Sequence, residues 1–192
     1  KPEVIVNLVG LTDVDRCEID PNKAYLQNVR TVENITDWIK QENAPCHLVQ
    51  ISTDQVYDGA SPHAEEQVSL MNYYAFSKYA GELAAASVPS TILRTNFFGR
   101  SRCVKRTSLT DWLFLSLSNG DPIQVFDDVL FSPISMTTLS EMIELIMQKK
   151  PIGLFNLGSH VGMSKADFAF AFAEELNLST SAMTHTSTDQ VT

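Results

Sequence analysis

The chain has 192 residues, 44% of them hydrophobic and 19% charged, with a formal net charge of −9. That length suits one sizeable domain, or one with a small annex. The acidic balance opposes general binding to nucleic acid or to anionic membrane surfaces, both of which need basic patches.

Three widely spaced cysteines, Cys17, Cys46 and Cys103, read as reduced thiols of a cytoplasmic protein rather than as a disulfide framework. No apolar run approaches the ~20 residues that span a bilayer, and residues 1–8 lack the form of a signal peptide. His47, His63, His160 and His185 show no metal-ligand spacing, so no metal site is expected.

In chain order, "VIVNLV" (4–9) is a short apolar, β-branched run, the signature of a buried strand. Asp20-Pro21 forms an N-cap followed by proline at the first helical position. Leu26, Val29, Val32, Ile35 and Ile39 then recur at three- and four-residue steps, which predicts one long amphipathic helix ending near Asn43. "HLVQIST" (47–53) is a second buried strand. A polar loop runs to about Leu70, followed by a helix through "YYAFSKYAGELAAA", and "STILRT" (90–95) is a third strand. The alternation predicts a parallel sheet covered on both faces.

Beyond it, 108–118 suits a helix with Ser108 and Asp111 at capping-box spacing and Gly120 as its stop. "IQVF" and "GLFNLG" read as strands, and 136–149 and 164–176 as helices. The Ser/Thr-rich tail from Ser179 reads as mobile, or as a segment whose continuation is missing. A change of character near Gly99 divides the chain into 1–98 and 99–192. The eight glycines nowhere form G-x-G-x-x-G, the turn with which a dinucleotide-binding sheet usually opens.

Chemistry concentrates around "NYYAFSKYAGE" (72–82). Helical residues four apart share a face, while five apart are ~140° out of line. Tyr74, not Tyr73, therefore pairs with Lys78. A nearby ammonium favours phenolate and fits such a tyrosine for proton transfer; the plainer alternative is an aromatic and a charge on a partly exposed helix. Ser52 and Thr53 end the second strand, the edge where open parallel sheets bind ligands. They could supply a hydroxyl to the same centre, or merely cap the turn at Asp54.

Several blocks in order resemble the extended short-chain dehydrogenase/reductases, most of all the dTDP-4-dehydrorhamnose reductase branch. "STDQVYDG" resembles that family's S-T-D-Y-V-F-D-G, and "LMNYYAFSKYAGE" its P-L-N-x-Y-G-x-S-K-x-x-G-E. "VIVNLVGLTDVDRCEIDPNKAYLQNV" and "ILRTNFFG" match further landmarks.

The resemblance implies a Rossmann-like, doubly wound α/β sheet, here without its N-terminal strands, and a small C-terminal substrate lobe interleaved with it. It implies an NAD(P)H-dependent reductase of a 4-keto nucleotide-sugar in deoxysugar and polysaccharide synthesis, using NADP or NAD, with a homodimer as the candidate assembly. By position, Thr53 matches the catalytic hydroxyl, Tyr74 the general acid and Lys78 the residue that binds the nicotinamide ribose and lowers the tyrosine pKa. Gly10, Leu11 and Thr12 match the turn against the cofactor, Asp54 and Asn96 match positions facing the sugar nucleotide, and Asn28 matches a helix asparagine.

Gln55, Ala75, Thr31 and Asn96 depart from the family's usual residues, the last in the substrate turn. A non-catalytic subunit resembling the methionine adenosyltransferase regulatory beta subunit, and an epimerase or dehydratase relative, are the alternatives on the same scaffold.

Overall fold

The computed structural model describes residues 1–59, 62–103 and 106–190. The chain divides into two compact units, the first Lys1–Thr95 with Ser140–Leu157, the second Asn96–Leu139 with the remainder from Gly158. No described helix is long and apolar enough to cross a membrane.

The first unit is built on β1 (Val4–Asn7), β2 (His47–Thr53), β3 (Ser90–Thr95) and β8 (Gly153–Leu157), all parallel in the order β1-β2-β3-β8. The expected parallel α/β sheet is present. Every residue of β2 and β3 is buried, as befits central strands covered on both faces.

Period-two alternation sorts the side chains. Leu48 and Ile92 point with Ile5 and Leu154 into a core shared with α3 (Thr31–Gln41) and α4 (Tyr73–Ala85). Val49, Ile51 and Leu93 point the other way, against Ile143 and Ile146 of α6 (Met136–Lys149). Each fully buried aliphatic side chain contributes roughly 1.5–3 kcal/mol.

Two features of the first unit depart from expectation. A short helix α1 (Val14–Ile19) is capped by Asp13. The long helix after Asp20 is not uniform: α2 (Pro21–Tyr25) passes through a π-helical turn, Leu26–Arg30, before α3 begins. Asp20 caps it, with Pro21 at its start, as expected.

In the second unit, α5 (Leu109–Asn119) carries the Ser108–Asp111 capping box and ends at Gly120 with φ 74°. A second capping box, Ser164 with Asp167, opens α7 (Lys165–Glu175). Short pairings complete the unit: β4 (Phe97–Phe98) with β7 (Ile134–Ser135), β6 (Leu130–Phe131) with β9 (Met163–Ser164), and β5 (Ile123–Phe126) with β10 (Met183–Thr186). Leu113, Val125, Phe131, Phe168 and Met183 form its core.

β10 corrects the mobile-tail expectation. It pairs in parallel with β5 from Met183↔Ile123 to Thr186↔Phe126, and Asp128 accepts from the Thr188 N–H at 2.8 Å and hydroxyl at 2.6 Å. Residues 191–192 of that tail lie outside the described residues.

Candidate active site

β2 and α4 bring the sequence-predicted residues together at the carboxyl end of the sheet. Asn72 starts α4 from an extended conformation, its side chain accepting from the Ala75 N–H at 2.8 Å, which satisfies one of the helix's orphan donors. That start fixes the phase. Tyr73 is 48% exposed, while Tyr74 and Lys78, one turn apart, are each 6% exposed, Tyr74 packing with Leu11, Cys17 and Ala24.

Thr53 ends β2 and caps the 3-10 turn Asp54–Val56 by accepting from the Gln55 N–H at 3.2 Å, with its hydroxyl beside the Tyr74 phenol. Contrary to the expected lowering by Lys78, the phenol is raised above its ordinary value: burial dominates, the neighbouring Thr53 hydroxyl pulls the other way and the Asp54 charge adds to the rise. Tyr74 is therefore held protonated at neutral pH.

The Lys78 ammonium donates to the Ile51 carbonyl at 2.6 Å. Burial lowers its pKa to about 8, with Glu82 resisting the fall. It forms this one hydrogen bond among the described residues, so two of its three N–H groups are available to a ligand.

The turn after β1 lies beside it. Asn28, in the π-helical turn, accepts from the Leu11 N–H at 2.7 Å and donates to the Leu11 carbonyl at 3.0 Å and to Ser77 Oγ at 2.8 Å. Ser77 in turn donates to the Tyr74 carbonyl at 2.9 Å. A Cβ on Gly10 would meet Asn28 Oδ1 at 3.0 Å and lie 3.8 Å from Lys78 Nζ. A side chain there would crowd the ammonium; glycine leaves the approach open. This bare backbone beside a cation with donors to spare suits the hydroxyls of a ribose.

Leu11 is buried and Thr12 exposed, while Gly10 and Asp54 are half-buried. All of these lie in the first unit. Asn96 opens the second, where its carbonyl accepts from the Ile134 N–H at 3.0 Å.

Sequence reading missed a buried polar network below the site. Ser52 donates to Glu82 at 2.5 Å, and the Glu82 carboxylate receives Arg94 through Nε and Nη2, the latter at 2.6 Å. The signal was an arginine inside the otherwise buried run "STILRT".

Comparison with known proteins follows the same lines. A family model described as "RmlD substrate binding domain" matches residues 1–192. A dTDP-4-dehydrorhamnose reductase of Sinorhizobium fredii is 30% identical over 184 residues, covering 88% of this chain and 59% of that protein. The spore coat polysaccharide biosynthesis protein SpsK of Bacillus subtilis is 26% identical, covering 97% and 65%.

Among solved structures, a dTDP-4-dehydrorhamnose reductase from Bacillus anthracis in complex with NADP superposes with a TM-score of 0.88 at 24% identity, covering 98% of this chain and 67% of that one. A hypothetical dTDP-4-dehydrorhamnose reductase from Sulfolobus tokodaii gives 0.84 at 29% identity, covering 96% and 65%. The chain thus spans 59% to 65% of the length of these two curated relatives.

Proposed function

Because the chain belongs to the RmlD substrate binding domain family, we propose that the protein carrying it is an NAD(P)H-dependent reductase of a 4-keto nucleotide-sugar, acting in deoxysugar synthesis. The observation that carries this reading is the buried set Thr53, Tyr74 and Lys78 at the carboxyl end of a parallel sheet. The names of the relatives, dTDP-4-dehydrorhamnose reductases among them, support the substrate class.

A reduced nicotinamide, when bound, supplies the hydride. The chain's own residues do the rest. Lys78 gives its two available N–H groups to the ribose, and the Leu11 turn, held by Asn28, provides the backbone wall beside it. Thr53 orients the keto oxygen. Tyr74, kept protonated by burial, gives its phenol proton to the alkoxide that the reduction creates. The Lys78 ammonium, on the same helix face, stabilises the phenolate left behind until solvent restores its proton. In this reading the first unit holds the cofactor.

The test uses the full-length protein with NADPH or NADH and a panel of nucleotide-sugars with and without a 4-keto group. The reading expects cofactor consumption that matches the keto sugar added. Cofactor binding without consumption across the panel would refute it.

A further inference from the structure

Two consecutive residues of β2, Ile51 and Ser52, are fastened to one stripe of α4, and Thr53 lies beside the same stripe. Tyr74, Lys78 and Glu82 follow one another at four-residue steps along the buried face of the helix. The Thr53 hydroxyl lies beside the Tyr74 phenol, the Ile51 carbonyl receives Lys78, and the Ser52 hydroxyl donates to Glu82. The first two contacts involve groups to which the proposed reaction gives a role. The third touches neither substrate nor cofactor in that scheme, yet at 2.5 Å it is shorter than the Lys78–Ile51 bond.

Glu82 does not hold Ser52 alone. Its carboxylate is also gripped by Arg94 of β3, with Nε at 3.0 and 3.2 Å and Nη2 at 2.6 Å. The remaining guanidinium nitrogen, Nη1, donates to the Tyr57 hydroxyl at 2.8 Å and the Glu65 carbonyl at 2.6 Å, and Tyr57 donates onward to Asn156 of β8 at 2.6 Å. One buried ion pair thus ties α4 to β2, β3 and β8, and to the segment that follows Thr53.

Apolar contacts between α4 and the sheet, such as Ala85 against Ile92, are non-directional and tolerate small slides. Hydrogen bonds to a carboxylate in a dry interior do not, because a misaligned one leaves a buried charge poorly paired.

We propose that Ser52 and Glu82 are positioning residues for the reaction: their bond, held by Arg94, fixes the axial register of α4 on β2 and so the placement of Tyr74 and Lys78 relative to Thr53. This rests on the reductase reading for its rate consequences, although the register itself does not. A displacement of about 1 Å at a reacting group costs up to ~100-fold in rate.

The experiment uses the full-length protein and the Ser52→Ala variant, which removes one hydrogen bond and leaves the Glu82–Arg94 pair intact. Turnover is measured with NADPH and a 4-keto nucleotide-sugar, and amide hydrogen exchange is followed over residues 72–82. The expected result is a kcat lowered ~10- to 100-fold, KM values for both ligands within about twofold of wild type, and faster exchange in the first turns of α4. Ser52→Thr, which keeps the hydroxyl, recovers most of kcat. Adding Ser52→Ala to Glu82→Gln lowers kcat no further than Glu82→Gln alone.

Unchanged kcat together with unchanged exchange in Ser52→Ala overturns the proposal. So does a loss of activity that Ser52→Thr leaves unrescued while thermal unfolding shows that variant folded. If wild type turns over no nucleotide-sugar, the reductase reading fails, and the exchange measurement alone decides the register claim. Should Ser52→Ala not fold, the near-isosteric Ser52→Cys takes its place under the same criteria.

Discussion

The Lys78 ammonium donates to the Ile51 carbonyl from a site that is 6% exposed, with its pKa lowered to about 8. A folded-state pKa below the ordinary ~10.4 means that the unfolded chain binds more protons between those values. Stability therefore rises with pH from about 8 to ~10.4, and at neutral pH the buried charge costs on the order of 3 kcal/mol. Lys78→Met relieves that cost. It is expected to unfold several degrees higher than wild type at pH 7, with a flatter stability profile above pH 8, while losing cofactor affinity and turnover. Thermal unfolding across pH, beside a cofactor titration, checks both halves.

Gly81 faces the π-helical turn so closely that a Cβ would overlap the Asn28 carbonyl oxygen. That atom is backbone, so α4 itself would have to move away. Gly81→Ala should destabilise by roughly 1–3 kcal/mol, although alanine is the better helix former. Asn28→Ala strips both backbone groups of Leu11 of their side-chain partner. It should weaken cofactor binding by more than it affects the KM for the sugar nucleotide. Denaturant unfolding and separate titrations of the two ligands read these effects.

Arg94 and Glu82 are each about 2% exposed in their side chains, so removing one partner strands a buried charge. Arg94→Met is expected to cost about 3–5 kcal/mol, whereas breaking the exposed Arg30–Glu33 pair with Arg30→Met should leave stability close to wild type. Equal losses in the two variants, measured by denaturant unfolding, would contradict the assignment of the Glu82–Arg94 pair as a structural anchor.

Burial lowers the His47 pKa in the folded protein. Its imidazole, 2.7 Å from the Thr91 hydroxyl, is neutral in the native state, and protonation favours the unfolded chain. This contribution to stability is present above the unfolded value of ~6.5 and is lost as pH falls below it. His47→Gln should flatten the stability profile between about pH 5 and 7.

Much of the sheet was legible because β1, β2 and β3 are short runs rich in β-branched residues. Asp20-Pro21 in the first unit and the Ser108–Asp111 box in the second both sit where their capping chemistry requires. Helical phase alone separated buried Tyr74 from exposed Tyr73. The π-helical turn was not legible, since the apolar steps from Leu26 to Ile39 run unbroken through it. Its trace in the sequence is indirect: a glycine, Gly81, facing it from another helix.

β10 was hidden for a different reason. Only Met183 and Thr186 of its four residues are buried, too few to stand out from a polar tail. The Ser52–Glu82–Arg94 network needed three elements distant in sequence, and only the arginine inside a buried strand hinted at it.

Tyr74 as the proton donor is the claim on which the functional account stands. The most direct measurement compares wild-type and Tyr74→Phe full-length protein in single-turnover oxidation of bound NADPH after mixing with a 4-keto nucleotide-sugar. The account predicts at least ~100-fold slower oxidation in the variant, in line with the loss of a positioned general acid, and cofactor affinity within a few-fold of wild type. Oxidation at the wild-type rate by a folded, cofactor-loaded Tyr74→Phe protein would contradict it.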